Sequence, residues 1–196
     1  MGERTGQARG TAVRDRLVDT AAELFYDHGV HAVGIDEVLR RSGLAKATLY
    51  RWFPSKNDLI LAVLDKRDEA FWHQWDVVAA THADDPRAEI DAHLTWTAAL
   101  ATHAKYRGCP FVNTAAEFDA DQSQIRARCL RHERELGSRL RALVARLDLA
   151  AGDPHALADL LHLAIVGAFA LGGVYSRGDN PARRLRALAD QLLGVT

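Results

Sequence analysis

Lys46, Thr48, Tyr50 and Arg51 stand close together in the stretch LAKATLYRWFPSK, residues 44–56. Together they offer an ammonium, two hydroxyls and a guanidinium, a set rich in donors and poor in nucleophiles. The chemistry it suits is recognition. A guanidinium can give paired donors to guanine O6 and N7, worth roughly 1–3 kcal/mol of base discrimination. The hydroxyls can serve phosphate or base, and the small side chain of Ala47 permits close approach. Lys56 falls in the first turn of the next helix, where free N–H groups would help it neutralise a phosphate.

The elements that must hold these groups are readable around them. Residues 35–53, IDEVLRRSGLAKATLYRWF, describe a helix, a break at Ser42-Gly43 and a second helix. That is the outline of a helix-turn-helix, with Gly43 supplying the backbone freedom of a tight turn. On a helical wheel Ala45, Leu49, Trp52 and Phe53 share one side. They are expected to pack on Val38, Leu39, Leu17, Ala21 and Leu24. Ala47 and Arg51 point away, flanked by Thr48 and Tyr50, with Lys46 nearer the inner side. A solvated face that merely holds Tyr and Arg is the plain alternative. The Gly turn, apolar back and polar front agree with one another, and that consistency favours a reading helix.

The 196 residues are 48% hydrophobic and 26% charged, enough for a full core. Helix formers dominate and β-branched runs are nearly absent, so the chain is expected to be all-α. Its net charge is −1, but residues 1–56 hold nine basic against seven acidic groups. That mild polarity permits a nucleic-acid face at the N-terminus. Every proline sits where a helix would begin. Asp85-Pro86, Asp153-Pro154 and Asn180-Pro181 pair an N-cap residue with Pro at the first helical position. Ser55 and Asp58 suit a capping box after Pro54. About nine helices follow: 11–28, 35–42, 45–53, 55–80, 86–106, 110–118, 122–149, 154–176 and 181–193, with residues 1–10 disordered.

Residues 11–64 resemble the N-terminal domain of the TetR/AcrR family of one-component transcriptional regulators. The likeness rests on Ala21-Ala22-Glu23-Leu24-Phe25, Gly29, Gly43, the run from Lys46 to Phe53, Pro54-Ser55-Lys56 and Leu59. Tyr106 to Phe111 and Glu117-Phe118 also look like a segment of some members. The resemblance implies a three-helix DNA-binding domain over 1–54 and a helical effector-binding and dimerisation domain over 55–196. It further implies a cytoplasmic homodimer on a palindromic double-stranded DNA operator, released as a repressor by a small-molecule effector. Carried over by position, Lys46, Ala47, Thr48, Tyr50 and Arg51 would lie in or beside the major groove and Lys56 on a phosphate. Val33 and Gly34 stand where many members have Thr or Ser, and Ala45 where Ser is frequent. Hydroxyl contacts to phosphate are lost there. Trp52 replaces a common His, as packing.

Phe71, Trp72, Trp75 and Trp96 give aromatic surface suited to an effector pocket or to a core. Asn113 and Glu117, four apart, are its candidate polar contacts; they could equally be a cap partner and an exposed charge. The helix 154–176 sets Leu161, Ala164, Ile165, Ala168, Leu171 and Gly172 on one apolar front. The family resemblance, more than the pattern, assigns that front to a subunit interface. Asp159 and His162 interrupt the segment, so a membrane span is not expected. Histidines at 73, 93, 103, 132, 155 and 162 make no HxxxH pair. His28 and His31 are separated by Gly29, so no metal site is expected. Cys129 shares a stripe with Ile125, Leu136, Leu140, Leu143 and Leu147 and is read as core, while Cys109 near Lys105 and Arg107 could be a redox sensor. Arg126, Arg128, Arg131, Arg134, Arg139, Arg141 and Arg146, interleaved with Asp121, Glu133, Glu135 and Asp148, are read as a solvated face. No GxSxG, P-loop, GxGxxG or paired-Cys motif names a catalytic residue or a cofactor. An all-α enzyme, or an interaction module with a vestigial helix-turn-helix, is the competing reading.

Overall fold

The computed structural model describes residues 2–119, 124–149, 153–175 and 179–193. Among these residues every regular element is helical. The helices are α1 Gly2–His28, α2 Ile35–Ser42, α3 Lys46–Trp52, α4 Lys56–Thr81, α5 Pro86–Ala101, α6 Pro110–Ala116, α7 Gln124–Val144, α8 Pro154–Gly172 and α9 Leu185–Leu192. A 3-10 turn, Pro181–Arg184, leads into α9. Asp85, Asp153 and Asn180 each accept a backbone N–H bond at 2.9 Å from the first turn that follows, with Pro86, Pro154 and Pro181 just inside. These N-caps put the boundaries where the sequence expects them.

Two departures are instructive. The first helix starts at Gly2 rather than at residue 11, through the stretch expected to be disordered. Glu3, Arg4, Gln7, Ala8 and Arg9 are favourable helix formers, and extending an existing helix costs little. The fifth helix stops at Ala101 instead of 106. There Thr102 turns its hydroxyl back to the Ala98 carbonyl at 2.7 Å, and the chain continues irregularly to Gly108, whose φ is 101°. Residues 122–123, expected to open the seventh helix, and Asp121 lie outside the described residues.

Contacts divide the chain into two compact units, Met1–Glu69 with Asn113–Cys129, and Ala70–Val112 with Leu130–Thr196. The first unit is centred on Leu17, Ala21, Val38, Leu49 and Leu59, each fully buried, with Leu24, Phe25 and Phe53 around them. This is the apolar back expected for the helix pair. In the second unit α5 packs along α8 and α9. Gly172 allows the closest approach: a side chain there would start 2.5 Å from the Ala101 carbonyl oxygen. Leu94, Leu161 and Ile165 fill the seam at 1% exposure each, and Asn180 bridges it through its Nδ2 donor to Ala101 O at 3.0 Å.

Candidate functional site

Gly43 ends α2 in the left-handed region at φ 67°, its N–H bonded to Leu39 O at 2.9 Å. That single residue swings the chain into α3, and a Cβ there would strain the turn. Leu49 is fully buried and Phe53 nearly so, which fixes α3 by its back. Lys46, Ala47, Tyr50 and Arg51 are exposed and Thr48 is half-buried. The expected outward face is therefore present as one continuous surface on α3.

Three details differ from the wheel. Ala45, expected inside, is exposed at the N-cap. Lys46, expected nearer the inner side, reaches solvent and lies 3.6 Å from Asp36. Lys56 is half-buried, its Nζ 6.0 Å from the centre of the Phe25 ring, and burial lowers its pKa. Trp52 is half-buried with its ring near Gly10, in keeping with packing, and Arg51 lies 5.8 Å from the same ring.

Both helix starts beside this face are informative. At α4 the Ser55 hydroxyl accepts from Asp58 N at 3.2 Å, while Ser55 N donates to the Asp58 carboxylate at 2.9 Å. The expected capping box is complete. Gly34 caps α2 with no side-chain bond and has no atom within 4 Å of where a Cβ would stand. A hydroxyl would fit there.

Glu117 does not join the aromatic residues. Its carboxylate accepts from Val30 N at 2.9 Å and His31 N at 2.7 Å, holding the turn between α1 and α2 within the first unit. Its role is that of a cap, and Asn113 is exposed in that same unit. A cavity of about 560 Å³ in the first unit is walled by Ser55, Asn57, Asp58, Leu61, Phe118, Asp119, Gln124 and Ile125. None of the residues expected to line a pocket borders it.

In the second unit Phe71, Trp72, Trp75 and Trp96 do come together. Phe71 is the hub, 4.9 Å from Trp72 and 5.0 Å from Trp96 between ring centres. Composition could not show what completes the cluster. His93 stacks on Trp75 at 3.6 Å, and His132 stacks on Phe111 at 3.7 Å. His93 is 1% exposed, and neither ring nitrogen has a hydrogen-bond partner among the described residues. Its nearest charge, Glu89 at 3.7 Å, is already held by Arg146. Burial, with smaller contributions from His82 and Arg139, lowers the His93 pKa to about 4. The ring is therefore neutral at pH 7, with one donor and one acceptor to offer.

The expected interface residues divide. Leu161, Ile165, Ala168 and Gly172 are buried within the subunit and Ala164 is half-buried, so this front serves the seam with α5. Leu171 is 39% exposed and belongs to a different stripe with Leu160, Leu163 and Val174, the last two 71% and 80% exposed. Gly167 lies on that stripe with open space before it. The helix is apolar on nearly every side, so its pattern could not say which face turns inward. Length and composition alone would also let it cross a membrane.

Arg126, Arg131, Arg134, Arg141 and Arg146 are exposed, as expected of a solvated face, whereas Arg128 and Arg139 are not. Arg128 is buried and binds Asp65 at 2.6 Å and Asp68 at 2.7 Å. Arg139 pairs with Asp76 and Glu135 and lies 4.4 Å from the Trp72 ring centre. Cys129, Ile125, Leu136, Leu140 and Leu143 are core, as expected, with Leu147 half-buried.

Comparison with known proteins bears on this geometry. Residues 17–63 match the family model described as bacterial regulatory proteins, tetR family, and residues 87–189 match a tetracyclin repressor-like C-terminal domain. The HTH-type transcriptional activator FasR of Mycolicibacterium smegmatis is 47% identical over 53 residues, 27% of this chain and 24% of that protein. The HTH-type transcriptional regulator EthR of Mycobacterium tuberculosis is 28% identical over 95 residues, 48% of this chain and 42% of that one. The chain thus spans less than half the length of either relative. SCO4454, a TetR-family regulator from Streptomyces coelicolor, superposes with a TM-score of 0.86 at 27% identity, over 94% of this chain and 95% of that one. A TetR regulator from Chloroflexus aurantiacus does so at 0.78 and 30% identity, covering 95% of each.

Proposed function

The chain belongs to the TetR family of DNA-binding transcriptional regulators, and from that premise we propose a dimeric repressor that reads a palindromic operator and releases it when a small molecule binds. The observation that carries this reading is the division of α3. Leu49 is sunk completely into the first unit while Ala47, Tyr50 and Arg51 stand outside. In this reading Arg51 addresses a guanine, Thr48 and Tyr50 address base or phosphate, Lys46 exchanges Asp36 for DNA, and Lys56 supports a phosphate contact. Residues 1–54 are the DNA-binding domain and 55–196 the effector and dimer domain.

The dimer face in this proposal is the exposed stripe Leu160, Leu163, Gly167, Leu171 and Val174, extended by Leu188 of α9, which is 43% exposed. Such a contiguous apolar stripe favours a second copy, with four helices meeting across a two-fold axis. Two reading helices would then meet successive major-groove faces about 34–36 Å apart. The effector is placed at the aromatic cluster, where His93 offers unmet hydrogen bonds among rings. That pairing suits a flat, largely apolar molecule with one or two polar atoms. A protein of this kind works in the cytoplasm.

Selection from random duplexes tests the proposal: enrichment of a palindrome supports it, and none rules it out. Since FasR is an activator, a reporter carrying the selected site decides the sign, and repression relieved by a compound is the expected outcome.

A further inference from the structure

We propose that the second unit carries a site for one divalent transition-metal ion of the zinc class, built from Cys109, His132 and Glu133. The Cys109 sulfur, a ring nitrogen of His132 and a carboxylate oxygen of Glu133 all lie within 4.8 Å of one another. Cys109 and His132 are 6% and 3% exposed, and Glu133 is half-buried at the rim. Two segments supply the set. Cys109 arrives on the irregular chain just before α6, and His132 and Glu133 are consecutive on α7.

The surroundings hold these groups in place. Phe111 lies flat on the His132 ring, 3.7 Å away with an interplanar angle of 8°, and Phe71 stands 4.9 Å off, nearly edge-on. Ring rotation is thereby restricted. Glu133 is oriented from outside the set: its Oε2 lies 3.1 Å from His162 Nε2. A histidine–carboxylate pair of this kind orients a ligand. His162 in turn needs the bare backbone of Gly137, since a side chain there would begin 3.2 Å from His162 Nδ1.

The donor set selects the ion. Magnesium and calcium take oxygen ligands, whereas a thiolate with an imidazole and one carboxylate suits zinc and its borderline neighbours. Tetrahedral bonds of about 2.0–2.3 Å place donor atoms roughly 3.3–3.7 Å apart. Closure from the observed spacing therefore needs side-chain shifts on the order of 1 Å. On binding, the Cys109 thiol proton passes to solvent, and the thiolate, neutral imidazole and carboxylate take three positions. The fourth is left to water. This site is independent of the operator reading, and its test needs no DNA.

Reduced, chelator-treated full-length protein titrated with Co²⁺ alone checks it. The expected result is a thiolate-to-cobalt charge-transfer band that saturates at one equivalent and collapses on adding Zn²⁺. Cys129→Ser keeps the band, Cys109→Ser abolishes it, and His162→Gln keeps it with affinity weakened roughly 10–100-fold. Glu133→Gln, at the rim and least disruptive to folding, also weakens binding while helix content is unchanged. No band in folded wild-type protein, or a band that survives Cys109→Ser, overturns the site. Unchanged affinity in His162→Gln overturns the orienting role of that histidine.

Discussion

The Glu117 carboxylate lies 3.2 Å from the point where a side chain on Gly29 would begin. Gly29 adopts φ 89° to close α1, and the space it leaves is what lets the carboxylate cap Val30 and His31. Gly29→Ala should therefore lose twice, through backbone strain and through displacement of the cap. A cost of about 1–3 kcal/mol is expected, and a similar one for Glu117→Ala, which orphans two N–H groups. Urea denaturation measures both, and the double variant should cost less than the sum because the two share one interaction.

On DNA, Arg51→Ala should flatten sequence preference by about 1–3 kcal/mol at one base pair. Lys56→Ala should weaken all duplexes alike and reduce the salt slope by about 1. Gly34→Ser should do the reverse of a loss. It adds a capping hydroxyl in open space beside the reading helix, worth a few tenths of a kcal/mol to folding and a phosphate contact besides. Titrations on specific and random duplexes at several salt concentrations separate the three.

His93 sets a pH response. Burial holds its pKa near 4 in the folded protein against 6.5 unfolded, so between these values the unfolded chain binds a proton that the folded chain does not. Stability is then fully present above about pH 6.5 and falls as pH drops toward 4, by roughly 3 kcal/mol at most. His93→Phe, which keeps the stack on Trp75, should remove this part of the slope in denaturation curves across that range. An unaltered slope would show that the ring does not stay neutral.

Leu163→Arg should convert the proposed dimer to a monomer with unchanged helix content, seen by sedimentation and circular dichroism. Operator affinity should fall about 100-fold or more as the second half-site contact becomes independent of the first. Leu161→Ala, by contrast, should unfold rather than dissociate, costing about 2–5 kcal/mol from a position with 1% exposure.

Local chemistry made much of this molecule readable. Asp85, Asp153 and Asn180 before proline located three helix starts, and Ser55 with Asp58 located a fourth, because caps act within one turn. Gly43 and Leu49 fixed the helix-turn-helix for the same reason. What stayed hidden depends on groups far apart in sequence. Glu117 reaches back 87 residues to Val30. Arg128 is neutralised by Asp65 and Asp68 from another helix, so a mixed-charge run that looked solvated is partly buried. Cys109 and His132 show no ligand spacing because they meet only in space. On α8 the residues expected at an interface are mostly buried within the subunit, because a helix apolar on nearly every side carries little phase.

The two sides of α8 answer to different constraints. At Gly172 even one methyl meets the Ala101 carbonyl, so that side governs whether the subunit exists at all. Leu163 and Val174 are 71% and 80% exposed, so substitution on that side leaves the packing of the subunit untouched. Such separation lets a few exterior substitutions change what the open side of α8 can bind while the fold stays intact.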